Sequence, residues 1–131
     1  MTADPARDRE GGADAPGEAG GLVVRVAGER RLIPVARVVE VLRDARIVRV
    51  PGAEAAVAGV VNHRGRILTV ADAAVALGLA VAPEAAREVV VVSWGQRRFG
   101  LAVGGVVELI AEPRTGLAEI DLERIAAATF A

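Results

Sequence analysis

Short apolar runs, most of them rich in valine, alternate along this chain with polar breaks that carry glycine or proline. Leu22–Val26, Ile33–Leu42, Val89–Ser93 and Phe99–Val103 are such runs. Their length and their β-branched content predict strands rather than helices. The stretch from Gly59 to Asp72 is the most informative. Sheet formers lie on both sides of Asn62-His63-Arg64-Gly65, and Gly65 is free to take a positive φ. The pattern predicts a tight hairpin corner with Arg64 held at its tip. Helical signals are few. Asp72 and Asp121 each precede a short apolar stripe and are predicted to be structural helix N-caps, with Gly78 ending the first helix. Ala53–Ala58, after Pro51-Gly52, is predicted to form one or two helical turns closed by Gly59. Residues 1–21, with Pro5, Pro16 and no apolar periodicity, read as a disordered N-terminal tail. Residues 78–87, with Pro83 and several alanines, read as an exposed link, and the folded domain is expected over 22–131.

The chain also repeats itself. Gly28–Leu42 aligns with Gly95–Ile110 when Gly100 is taken as a one-residue insertion, and seven of the fifteen aligned positions are then identical. Each copy follows a β run, so each reads as strand, glycine turn, strand, and a third strand that ends at Glu40–Leu42 or Glu108–Ile110. Each copy closes on an Asp-capped helix. The expectation is a mainly β fold of two similar sheet modules side by side, in pseudo-repeat halves of about 22–82 and 88–131. The halves are unequal: 32 residues separate Glu40 from Asp72, but only 13 separate Glu108 from Asp121. The second half lacks a counterpart of the Pro51–Gly65 unit. It is expected to be abbreviated, with an open edge or a lean on a partner.

Composition then removes most chemistry. All 16 basic residues are arginine, so neither a P-loop lysine nor a lysine Schiff base can form. There is no cysteine for a disulfide or a thiolate metal site, and His63 is the lone histidine, so no metal is expected. Ser93 is the only serine and lacks a G-x-S-x-G elbow, and no enzyme or cofactor is expected. With aromatics at 2%, the core must be built from many small aliphatic contacts. The net charge of −1, and arginine pairs Arg30-Arg31 and Arg97-Arg98 in predicted turns without aromatic interleaving, argue against a nucleic-acid partner. No apolar run approaches the ~20 residues of a bilayer-spanning helix. The charged first ten residues lack the hydrophobic region of an export signal, so a cytoplasmic location without membrane insertion is expected.

In order and spacing, the runs Ile33–Leu42, Val50–Gly52, Gly59–Asp72, Val89–Ser93, Phe99–Val103 and Val106–Leu109 resemble the CheW-like domain. That domain is the adaptor of bacterial chemotaxis arrays and the regulatory end of the CheA kinase. The resemblance covers roughly Leu22 to Phe130. Val38-x-Glu40-Val41 and Gly59-Val60-Val61-Asn62-x-Arg64-Gly65 carry most of it. It implies two small SH3-like β-barrel subdomains with a few short helices, the second abbreviated here. It also implies a non-catalytic adaptor that couples the cytoplasmic tip of a chemoreceptor to the regulatory domain of a CheA-type histidine kinase, associated with receptor arrays at the membrane. The receptor groove implied by the resemblance comprises Val38, Glu40, Val41, Gly59, Val60, Asn62 and Arg64, with Arg64 close to Glu40. Three departures stand out: His63 where relatives usually carry leucine, Thr69 where they carry proline, and Gly104 where they carry aspartate.

Each of these residues also has a purely architectural reading. Arg64 can brace the corner through an internal ion pair; the valines can simply be core; Trp94 is expected to pack at its turn. His63 is expected to be a tolerated surface substitution. Two rival functions remain open: a CheW-like scaffold outside flagellar chemotaxis that binds only one partner, and a small-barrel nucleic-acid binder.

Overall fold

A computed structural model describes residues 20–79, 88–112 and 114–130. The expected tail up to residue 19 and positions 80–87 of the expected link lie outside the described residues. The described residues form eight strands: β1 (Gly21–Val26), β2 (Glu29–Pro34), β3 (Val38–Leu42), β4 (Val57–His63), β5 (Arg66–Asp72), β6 (Glu88–Trp94), β7 (Arg97–Val103) and β8 (Gly105–Ile110). Helix α1 (Ala73–Ala76) follows β5, α2 (Leu122–Thr129) follows β8, and one 3-10 turn at Val35–Arg37 joins β2 to β3. The fold is mainly β. Its strands form a three-stranded sheet, β2-β1-β8, and a five-stranded sheet, β3-β6-β7-β5-β4. β5 and β7 run parallel; the other pairs are antiparallel.

The repeat is visible in this topology in a particular way. Each copy makes its own hairpin, β1–β2 or β6–β7, and then sends its third strand to the other copy. β3 pairs with β6, and β8 pairs with β1. The register is the same in both exchanges. Val38 lies opposite Val92 and Val106 opposite Val24; after a bulge, Glu40 lies opposite Val91 and Glu108 opposite Val23. The copies therefore match at a constant spacing of 68 residues (Glu29 to Arg97, Val38 to Val106, Glu40 to Glu108). This corrects the alignment with an insertion at Gly100. Identities at Gly-x-Arg-Arg draw the sequences one residue out of step, whereas strand pairing, with its period of two, does not tolerate that slip.

The main core lies between the two sheets and under both helices. Leu22, Val24, Val26 and Ile33 reach it from one sheet, Val90, Val92, Phe99 and Leu101 from the other, and Leu122 and Ile125 from α2. Phe130 closes it with an edge-on contact to Phe99, ring centroids 5.4 Å apart. A second cluster gathers Leu42, Val61, Leu68, Val70, Val89 and Ala102. These come from all five strands of the larger sheet, including the two at its opposite edges, so that sheet curls on itself. A third, small cluster (Val23, Leu32, Ile110, with Val107 and Leu117) occupies the equivalent face of the smaller sheet. β1 over Leu22–Val24 and β6 over Val89–Val92 are thus apolar on both faces, which is why they read as valine-rich runs.

The abbreviation of the second half is equally plain. At the β2 edge, Leu32 N–H donates to Ala118 O at 2.9 Å and Ile120 N–H to Leu32 O at 2.8 Å. This one parallel bridge, leading into an Asp-capped helix, stands where the larger sheet has the whole β4–β5 hairpin. One local expectation fails. Ala53–Ala58 is not helical: it forms turns, Ala56 O accepts Asp72 N–H at 2.7 Å, and Val57 already belongs to β4. So short an alanine segment cannot sustain a helix nucleus against strand pairing. No helix among the described residues is long and apolar enough to cross a membrane.

The caps behave as expected from sequence. Asp72 accepts Val75 N–H at 3.2 Å and Asp121 accepts Arg124 N–H at 3.0 Å. Replacing Asp121 with Ala is expected to cost about 1 kcal/mol in denaturant unfolding, and Asp121→Asn to restore most of it.

Candidate functional site

The corner predicted between β4 and β5 is a two-residue turn in which Arg64 (φ 55°) and Gly65 (φ 81°) both adopt left-handed backbone. Two positive φ angles match the twist of a tight hairpin, and Asn62 Oδ1 fixes the turn by accepting Gly65 N–H at 3.0 Å. A left-handed arginine is strained by roughly 1–2 kcal/mol, so the flanking ladder holds it there. The guanidinium is thereby aimed from the turn across to β3.

What it meets is Glu40. Arg64 Nε and Nη2 donate to Glu40 Oε1 at 3.2 and 3.0 Å, and His63 Nε2 lies 2.9 Å from the same oxygen. A carboxylate only accepts, so the imidazole carries its proton on Nε2. β3 and β4 are the two edges of the five-stranded sheet and share no strand pairing. The Glu40 contacts therefore clamp a seam. Farther along, the seam is stitched by backbone: Val48 and Val60 exchange N–H···O bonds, both 2.8 Å. A cleft of about 390 Å³ opens at this seam, lined by Glu40, Val41, Leu42, Arg43, Arg46 and Asn62 among others. The hydrogen bond from His63, reinforced by Arg64, holds the Glu40 carboxyl below its ordinary value.

Of the seven groove residues expected by resemblance, Glu40, Val41, Asn62 and Arg64 come together around this cleft. Gly59 and Val60 lie farther down β4, beneath the 47–48 segment. Gly59 has φ 151°, and a Cβ there would run into the Val48 carbonyl and the Ile47 side chain. Val38 packs against the main core opposite Val92.

His63 is a correction to the sequence reading. It is not a surface substitution but a buried residue, 7% exposed. The signal was available in the alternation of β4: Gly59, Val61 and His63 share the inward parity while Asn62 points out. A second residue escaped notice altogether. Arg114 grips Glu108 with two parallel bonds of 2.7 and 3.1 Å, and Glu108 is the repeat equivalent of Glu40. Each copy thus pairs its third-strand glutamate with an arginine from the segment that follows. Trp94 packs against the main core, with the Arg37 guanidinium 5.2 Å from its ring centroid. Among the described residues, no three histidine, aspartate or glutamate side chains gather as a metal site would require.

Comparison with known proteins is consistent with this architecture. The model of the CheW-like domain family matches residues 20–128. Among solved structures, the scaffolding protein TtCheW from Thermoanaerobacter tengcongensis superposes with a TM-score of 0.68 at 24% identity, covering 74% of this chain and 67% of that one. No curated protein matches.

Two outcomes are expected from the seam. Gly59→Ala should destabilise the protein by more than about 2 kcal/mol in chemical denaturation, because both backbone strain and the Val48 contact oppose a methyl group. The clamp should also titrate. A carboxyl depressed in the folded state contributes stability above its unfolded value, and that contribution is lost as pH falls through the folded value. The melting-temperature difference between the native protein and Glu40→Gln should therefore be present at pH 7 and vanish in acid, below the ordinary value of 4.5.

Proposed function

This chain belongs to the CheW-like domain family, and we propose that it is a non-catalytic adaptor of chemotaxis signalling that couples a chemoreceptor's cytoplasmic tip to the regulatory domain of a CheA-type histidine kinase. The observation that carries this reading is the seam of the five-stranded sheet. A carboxylate and a guanidinium are fixed there beside a cleft walled by both aliphatic and charged side chains, with the Arg64 side chain 75% exposed. That arrangement suits recognition. It orders charged groups on rigid strands in advance, so little conformational freedom is lost on docking.

An adaptor of this kind acts by geometry. Two modest contacts on one rigid module raise the local concentration of kinase beside receptor without any chemical step. The reading places the protein in the cytoplasm, at receptor arrays, held by protein contacts and not by membrane insertion. A second reading is favoured by one specific feature, the reduction of the smaller sheet to three strands. If kinase contact needs the full second module, this chain serves as a one-partner scaffold outside flagellar chemotaxis.

Co-sedimentation with receptor-bearing membranes, with and without kinase, separates these possibilities. Recovery with receptor and enhancement by kinase supports the coupling role; recovery with receptor alone supports the one-partner scaffold; recovery in neither defeats both. Arg64→Ala is expected to shift the melting temperature by less than about 2 °C while weakening receptor binding about tenfold. Parallel loss of stability and binding would make Arg64 architectural.

A further inference from the structure

Glu40 is the hub of the seam clamp, yet only one of its oxygens is engaged. All three donors converge on Oε1, and Oε2 accepts no hydrogen bond among the described residues. The two donor side chains differ sharply in freedom. Arg64 stands on a turn with its side chain 75% exposed, whereas the His63 side chain is 8% exposed and belongs to a strand. An exposed guanidinium can exchange its carboxylate for water or for a partner at little cost. A buried imidazole cannot, because its N–H would be left unsatisfied. Behind the ring, Arg66, Gln96 and Arg98 line a groove with Ile67 and Leu68; Arg66 is the cross-strand neighbour of His63. None of these groups is acidic. Among the described residues, Glu40 is the only carboxylate that pairs with the ring.

We infer that His63 is a positioning residue for recognition: from its buried seat it fixes Glu40 Oε1, so that Oε2 is presented unpaired to a hydrogen-bond donor of the partner. This rests on the seam being the receptor-docking site. The group that meets Oε2 is a hydrogen-bond donor, a cation giving the strongest bond, since a carboxylate offers only acceptors. With His63 holding the carboxylate, Arg64 is released to make its own contact without the pair losing its orientation.

The test uses the full chain, the soluble cytoplasmic fragment of a chemoreceptor from the same genome, and two readouts. One is the Glu40 carboxyl titration followed by carbon-13 NMR; the other is affinity for the fragment. His63→Gln keeps an N–H donor at similar reach, and His63→Leu fills the space without one. In His63→Leu the Glu40 titration is expected to rise toward 4.5 and affinity to fall about tenfold, with melting temperature losing only the share that the depressed carboxyl contributes at pH 7. His63→Gln is expected to restore both. His63→Met supplies a second apolar replacement, should leucine perturb folding. The inference is overturned if the apolar variants leave the titration and affinity unchanged, or if glutamine fails to rescue what leucine removes. If the native protein does not bind the fragment at all, the docking role falls and the recognition role of His63 with it. The titration difference would then still report the His63–Glu40 contact by itself.

Discussion

The reciprocal exchange of third strands is the constraint on which the rest of this molecule depends. β1 and β6 lie inside their sheets with apolar side chains on both faces, Val89–Val92 being at most 1% exposed. Their backbone N–H and C=O groups have no access to water and must be paired on both sides. Each hairpin satisfies one side. The other side is satisfied only by a strand from the other repeat, β8 for β1 and β3 for β6. Neither repeat can be completed alone, so the two sheets form as one cooperative unit despite the internal duplication.

The exchange also creates the candidate site. Because β3 leaves its own hairpin, it becomes an edge of the five-stranded sheet, and the β4–β5 hairpin becomes the other edge. Curling around the Leu42–Val61–Val89 cluster brings those edges face to face. An exposed strand edge is a liability that proteins cover or charge. Here the seam is crossed by backbone bonds at Val48–Val60 and by a charged clamp at Glu40. In the smaller sheet the equivalent glutamate, Glu108, is held by Arg114 from a short connection. The glutamate–arginine pair is thus present in both copies, with the arginine on a hairpin turn in one and on a short connection in the other.

Much of this was legible in the residues. The valine runs, the duplicated strand pattern, the abbreviated second half, the Asp72 and Asp121 caps and the Arg64-Gly65 corner all follow from local rules: β-branched stiffness, Asp side-chain capping, and turn conformations that demand positive φ. What local rules could not resolve were matters of competition. Identities at Arg30-Arg31 and Arg97-Arg98 pulled the repeat alignment one residue out of register. Alanine-rich Ala53–Ala58 looked helical because its long-range bond to Asp72 N–H is invisible in a local window. His63 looked like a surface residue because it was judged by polarity and not by its parity with Val61.

By itself, then, the sequence determined most element types and their order, the unequal repeat and the caps, because propensity and capping act over a few positions of chain. Only the tertiary structure decided which strands pair across the repeats, that Glu40 reaches His63 and Arg64 across 23 and 24 positions of chain, and which glutamate oxygen is left free. Those outcomes come from satisfying buried backbone groups and from the curvature of the five-stranded sheet. Both are properties of the assembled whole, and no short window of residues encodes them.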